Sequence, residues 1–218
     1  MRRNIAASKS LAMAEPKDTP KSRRTRARIL DEAVGLIARS GYLALTNAAV
    51  ADAALITRGA MLYHFETREA LVAAVIEHVQ AIRSRLFREA ADSLPAGGDV
   101  TEHAIYTYWD LLQDPAFIAF AELEAAARSD ALVAELLAPA QAEFDRGQIG
   151  DHFLKMLHAG AGPRFQASRD LARFLLEGMA RANFTYDREE RIGRLLEVVK
   201  RATHMLNRKG GVTDLWEE

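Results

Sequence analysis

Residues 46–68, TNAAVADAALITRGAMLYHFETR, constrain this chain more than any other stretch. Two segments too short to stand alone as helices are separated by a tight turn, and each opens on a threonine. Thr46 is a good N-cap for a helix running to about Ala53. Its hydroxyl can accept one of the backbone N–H groups that the first turn leaves without a partner. Val50 and Ala53 are expected on its inner face. Ala54-Leu55-Ile56 forms the turn, and Thr57 caps a second helix from Arg58 to Phe65. Met61, Leu62 and Phe65 are expected to anchor that helix. Arg58, Gly59, Ala60, Tyr63 and His64 are left to face outward. A low outward surface flanked by Arg, Tyr and His suits entry into a major groove, where bulk must be small and donors must reach base edges and phosphates.

The flanking segments agree. Thr25 to Ser40 reads as an amphipathic helix with Ile29, Leu30, Ala33, Val34 and Ile37 on one stripe. Gly41 supplies its stop and Tyr42 a hydrophobic closure. Thr67 caps a longer helix with Glu69 in the first turn, where an acidic side chain suits the helix dipole. Three short helices around one small core are the natural way to bury such stripes.

Residues 24–76 resemble the DNA-binding domain of TetR-type transcriptional regulators. The resemblance rests on the RILDEAVGLIARSGY helix, Thr46, Val50-Ala51, Ala53-Ala54, Thr57-Arg58-Gly59-Ala60, His64-Phe65 and Arg68-Glu69-Ala70-Leu71. It implies a dimeric regulator with a helical domain behind the DNA-binding unit. That second domain would enclose a pocket for a small inducer, and its last two helices would pair with those of a second subunit. The chain departs from the family pattern in three places. Leu55 stands where the family usually has Gly, so a left-handed backbone there would cost roughly 1 kcal/mol. Leu62 stands where the family commonly has a phosphate-touching Tyr, with Tyr63 one residue later. Ala48 and Ala49 stand near a usual basic position of the second helix.

Charge is distributed unevenly. The net charge is −1, yet residues 1–70 hold twelve Lys/Arg against seven Asp/Glu, a net of +5. Residues 71–218 hold seventeen against twenty-three, a net of −6. A basic front suits a nucleic-acid partner. There is no Cys, hence no disulfide, thiol nucleophile or Cys-based zinc site. No apolar run approaches the eighteen residues of a membrane span, and the apolar stretch of MRRNIAASKSLAMAE reads as too short and broken for a secretory signal, while Glu15 and Asp18 make it a poor transit-like segment. A cytoplasmic location is expected, with no membrane partner.

The chain divides into four parts: 1–21, a disordered basic arm; 22–70, the helix-turn-helix unit; 71–209, a helical ligand-binding and dimerisation domain; and 210–218, a tail. Arg2, Arg3, Lys9, Lys17 and Lys21 lie before residue 22, either as a solvated tail or as groove and phosphate contacts. In the larger domain, helices are expected from Thr67 to about Leu94, from Asp99 or Thr101 to about Gln113, and from Asp114-Pro115 to near Arg128. Others should run from Ser129 or Asp130 to about His158 with a kink or split at Pro139, from Ser168 to Ala182, and from Asp187 to Asn207. Pro95-Ala96-Gly97-Gly98 and Gly160-Ala161-Gly162-Pro163 are breaks, and Gly210-Gly211 ends the last helix. No strand signal or internal repeat accompanies them, so the fold class is all-α.

The DNA-binding candidates are Thr46, Asn47, Thr57, Arg58, Gly59, Ala60, Tyr63, His64 and Arg68. Arg58 offers a guanidinium for guanine or for a phosphate. Tyr63 is placed to meet the sugar-phosphate backbone or to pack on the first helix, and His64 either nears the backbone or turns inward. Arg68, Thr46 and Asn47 sit at helix starts, where free N–H groups suit a phosphate. The aromatics Tyr106, Trp109, Phe117, Phe120 and Phe144 are candidates for an apolar ligand pocket or for core. Leu171, Leu175, Gly178, Met179, Ile192, Leu195, Leu196 and Val199 give the last two helices more apolar surface than one core needs, which points to a homodimer. Glu124 and Arg128 form a surface i, i+4 pair. Among the six His, none has a compact metal-ligand spacing, so neither a metal nor a cofactor is expected. Together with the resemblance, these residues lead to the expectation of a repressor that binds a palindromic operator in double-stranded DNA as a dimer and is released by a small apolar molecule. The alternatives are a helical interaction protein without sequence-specific DNA binding and an α-helical enzyme. For the latter the chain offers no nucleophile–base pair, phosphate loop or metal set.

Overall fold

The computed structural model describes residues 19–149 and 163–207. Among them are nine α-helices, one 3-10 turn and no strand. The helices are α1 Pro20–Ser40, α2 Asn47–Ala53, α3 Arg58–His64, α4 Arg68–Asp92, α5 Val100–Leu111, α6 Pro115–Ala127, α7 Ala131–Ile149, α8 Pro163–Arg181 and α9 Arg188–Asn207. The expected arm before residue 19, the Gly160–Gly162 break, the stretch of the α7 helix toward His158, and the Gly210-Gly211 stop and tail lie outside the described residues.

Local signals set most helix ends. Thr46, Thr57 and Thr67 each accept a hydrogen bond from the N–H three residues on, at 3.1, 3.2 and 3.1 Å. Asp99 and Asp114 cap α5 and α6 in the same way, and Pro115 opens α6 at a position where no N–H is needed. Two starts differ from the sequence reading. Helix α1 begins at Pro20 with Thr19 as its cap, five residues before Thr25, because Thr19-Pro20 supplies both a cap and an N1 proline. Helix α8 begins at Pro163, so Ser168 lies inside it, buried and with its hydroxyl unpartnered. Helix α7 continues through Pro139 unsplit.

Two apolar cores hold the described residues together. The first takes the full stripe of α1, Ile29, Leu30, Ala33, Val34 and Ile37, together with Tyr42, Val50, Met61 and Phe65. It continues along α4 through Leu71, Val72, Val75 and Val79 into α6 and α7 at Phe120, Leu123, Val133 and Leu137. One core therefore spans residue 70, and α4 belongs to both sides of it. Burying a residue such as Ile29 or Leu71 contributes roughly 1.5–3 kcal/mol. The second core joins Ile105 of α5 to Leu176 and Met179 of α8 and to Ile192, Leu196 and Val199 of α9.

Candidate nucleic-acid interface and ligand cavity

The turn between α2 and α3 is tight because Leu55 takes a left-handed backbone, φ 52°. The Leu55 and Ile56 N–H groups then donate back to the carbonyls of Asp52 and Ala51 at 3.1 and 3.0 Å. Leu55 itself is 88% exposed, so its side chain offers no packing in return for the strain. Val50, Ala51 and Ala54 face the core, whereas Ala53 is only half-buried. In α3, Met61 and the capping Phe65 are the buried anchors. Leu62 is 52% exposed, contrary to the inward place expected for it. Neighbouring positions on a helix lie roughly 100° apart, so Met61 and Leu62 cannot both point at one narrow core.

The exposed side of α3 comprises Arg58, Gly59, Leu62 and Tyr63, with Ala60 and His64 half-buried at its borders. Gly59 has open space where a Cβ would sit, the nearest atom being the Thr57 hydroxyl at 4.0 Å. Nothing within the fold requires glycine there. The Tyr63 ring meets the His64 ring edge-on at 5.2 Å. Arg26 of α1 lies over the Phe65 ring at 4.4 Å, so the basic start of α1 stands beside the end of α3. Burial, and then the Arg26 charge, hold the His64 imidazole below its usual range. It is neutral at pH 7.

Two expected phosphate contacts are engaged inside the fold. The Asn47 amide donates to the Phe65 carbonyl at 3.5 Å, and its oxygen is buried without a partner. Arg68 donates to the Tyr42 hydroxyl at 2.9 Å, and that hydroxyl donates to Asp130 at 3.0 Å. Asp130 also accepts from the N–H groups of Leu132 and Val133 at the start of α7. A chain of hydrogen bonds thus ties the start of α4 to the start of α7. Burial and the Asp130 contact raise the Tyr42 hydroxyl pKa, keeping it a donor.

The opposite ends of the same two helices wall a cavity of about 360 Å³. Phe87, Ala90 and Ala91 of α4 and Phe144 and Asp145 of α7 face it, together with Tyr108 and Leu111 of α5, Arg169 and Arg173 of α8 and Thr203 of α9. Phe87 packs against Tyr108, Phe117 and Phe144, with ring centres 5.5, 5.5 and 5.6 Å away. The polar wall is a network. Arg173 pairs with Glu177 at 2.8 Å and Asp145 at 3.2 Å, and Tyr108 donates to Glu177 at 2.7 Å. Burial opposes the Arg173 charge, but Glu177, Tyr108 and Asp145 outweigh it and raise its pKa. Behind Phe144 lies Arg83, 1% exposed and held by Gln80 and Gln141 at 2.6 and 3.1 Å. The rings of Phe120 and Phe144 cover its guanidinium at 3.6 and 4.0 Å. Burial lowers its pKa to about 10, so it remains charged.

Of the five aromatics assigned to a pocket, Phe144 alone is among the cavity's lining residues. Phe117 and Phe120 are buried in core, with Arg83 over them. Tyr106 and Trp109 pack on the second core, and the Tyr106 hydroxyl donates to Glu197 of α9. The wall residues Phe87, Asp145 and Arg173 escaped sequence reasoning. The i, i+4 spacing of Arg173 and Glu177 is the sequence signal that could have found part of it. Glu124 pairs with Arg181 at 2.8 Å, not with Arg128 as spacing implied. Among the described residues, no group of three metal-ligating side chains comes together.

The proposed dimer residues divide. Met179, Ile192, Leu196 and Val199 are buried in the second core, because a helix pair must first close its own interior. Leu171, Leu175, Gly178 and Leu195 face outward, with Phe174, Val198 and Met205 beside them. A Cβ at Gly178 would meet nothing.

Residues 29–75 match the sequence pattern of the bacterial regulatory proteins of the tetR family. The α2–turn–α3 segment lies wholly within this match. Solved structures share the fold well beyond it. A member of the TetR family from Streptomyces coelicolor A3 is 22% identical, with 82% of this chain and 97% of that one covered at a TM-score of 0.58. Salmonella enterica GusR is 19% identical over 84% and 95%, at 0.63. The multidrug binding protein EbrR, in complex with imidazole, is 21% identical over 87% and 98%, at 0.57. At these identities the likeness establishes the fold. No curated protein matches the chain. Within the matched segment, the exposed residues of α3 are Arg58, Gly59, Leu62 and Tyr63.

Proposed function

We propose that this chain is a DNA-binding transcriptional regulator, acting as a dimeric repressor that a small, largely apolar molecule releases from its operator. The observation that carries the reading is the open side of α3, Arg58, Gly59, Leu62 and Tyr63, inside the tetR match. In this reading residues 22–70 meet DNA. Thr46, Thr57, Arg58, Gly59, Ala60 and Tyr63 approach the duplex. Asn47, His64 and Arg68 brace the unit from within. Residues 71–209 hold the ligand and the dimer. The outward face of α8 and α9, with Leu171, Leu175, Gly178 and Leu195, supports pairing with a second copy, because an apolar face of this kind is costly to leave in water. One recognition helix rarely supplies enough specific affinity, and a two-fold dimer supplies two.

The cavity supports regulation. A ligand in the cavity lined by Phe87 of α4 and Phe144 of α7 acts on helices whose other ends meet through Arg68, Tyr42 and Asp130. A ligand that favours a wider separation of those helices shifts the population away from the DNA-competent spacing. EbrR, a protein of like fold, is a multidrug binding protein complexed with imidazole and with proflavin, which supports a ligand role for the cavity here. In this reading the protein works in the cytoplasm, where its operator lies.

Selection from random duplexes tests this function. It should enrich an inverted repeat whose half-sites are one turn apart, roughly 34–36 Å. A pool with no enriched sequence after repeated rounds contradicts it.

A further inference from the structure

We infer that Leu62 reads the 5-methyl group of a thymine in each operator half-site; this rests on the DNA-binding reading above. Taking Arg58 as the origin, Leu62, Gly59 and Tyr63 lie roughly 40°, 100° and 140° around the α3 axis. The exposed face is therefore centred between Leu62 and Gly59, while Arg58 and Tyr63 form its edges. In a helix laid in the major groove, the centre of the face meets base edges and its margins meet the two phosphate backbones. The margins here carry a guanidinium and a phenol, both able to donate to phosphate. The centre carries one open position and one aliphatic side chain.

A single exposed leucine needs no explanation on most surfaces. This one differs in its setting. It is 52% exposed on a seven-residue helix, next to a glycine whose Cβ direction is empty. A glycine inside a helix costs roughly 0.5–1 kcal/mol against alanine, and no packing in the fold accounts for it. Together, Gly59 and Leu62 make a shallow apolar step on the helix. Leucine can neither donate nor accept, so it cannot recognise the polar edges of guanine, cytosine or adenine. The thymine methyl is the apolar feature of the major-groove edge, so it is the group there that such a step can pack against.

The test replaces each thymine of a selected operator by deoxyuridine, which removes the methyl and leaves every hydrogen-bonding group in place. Wild-type protein should lose roughly fourfold in affinity per half-site at one position, the value expected for one buried methyl-sized group. Leu62→Ala should bind more weakly and no longer distinguish thymine from uracil at that position. Leu62→Met, which keeps an apolar side chain, should retain the distinction. The inference is overturned if wild type tolerates every deoxyuridine, if the selected operator requires no A·T pair, or if the penalty persists unchanged in Leu62→Ala. A protein that binds no duplex specifically overturns the DNA-binding reading as well, so the two failures are separable.

Discussion

Leu55 and Gly59 are placed against ordinary backbone preference, and both departures fall in the DNA-facing unit. Leu55 holds φ 52° with its side chain 88% in solvent. Leu55→Gly should therefore raise stability by about 1 kcal/mol, read as a higher unfolding midpoint; an unchanged or lower midpoint would show that the leucine contributes something the turn does not reveal. Gly59→Ala should likewise stabilise by about 0.5–1 kcal/mol, whereas Gly59→Leu should leave folding intact and weaken duplex binding. The leucine at 55 was visible in the sequence as a misfit to the turn, and its conformation follows from the turn's hydrogen bonds. The exposure of Leu62 was legible in principle, since it shares a face with Arg58 at i, i+4. The presence of a second apolar neighbour, Met61, masked it. His64 gives a pH signature. Burial and Arg26 hold it below the ordinary value of 6.5, so on acidification the unfolded chain takes up a proton before the folded one does. Its contribution is fully present above pH 6.5 and declines as the pH falls below that value. Urea midpoints should fall over that range in wild type and fall less in His64→Gln; parallel profiles would contradict the assignment.

At the scale of elements, helix starts were readable wherever a cap stood next to an apolar stripe. Thr46, Thr57, Thr67, Asp99 and Asp114 all cap as their side chains dictate. Ser168 misled because a capping residue type can equally lie within a helix, and only the start at Pro163 decides which. The cavity was less legible. Phe87, Phe144 and Arg173 come from three helices far apart in sequence, and no local spacing encodes which side of α5 they meet. The bridge from Arg68 through Tyr42 to Asp130 joins residues 88 apart for the Tyr42–Asp130 contact alone. Tyr42→Phe keeps the ring and removes the hydroxyl that both partners use. It should cost about 0.5–1.5 kcal/mol per lost hydrogen bond in thermal unfolding. It should also reduce the effect of a cavity ligand on operator affinity. Full retention of both would mean that α4 and α7 are coupled by the shared core alone.

For the whole molecule, all-helical periodicity without a strand signal was enough to give the fold class, while the division of the last two helices into inner and outer faces needed the packing. Leu195 and Leu196 are adjacent, yet Leu195 is 38% exposed and Leu196 5%. Leu195→Glu should give folded monomers by light scattering, since a two-fold interface places the charge near its own copy. Leu196→Glu should instead unfold the second core. A folded Leu195→Glu dimer, or a wild-type monomer at micromolar concentration, contradicts the proposed interface. The central claim, sequence-specific binding of DNA by this chain, is tested most directly by titrating the full-length protein into the selected inverted repeat and into a scrambled duplex, each at two salt concentrations. The account predicts binding at least about 10³-fold tighter to the repeat, with affinity for both duplexes falling steeply as salt rises. Equal affinity for the repeat and the scrambled duplex would contradict it.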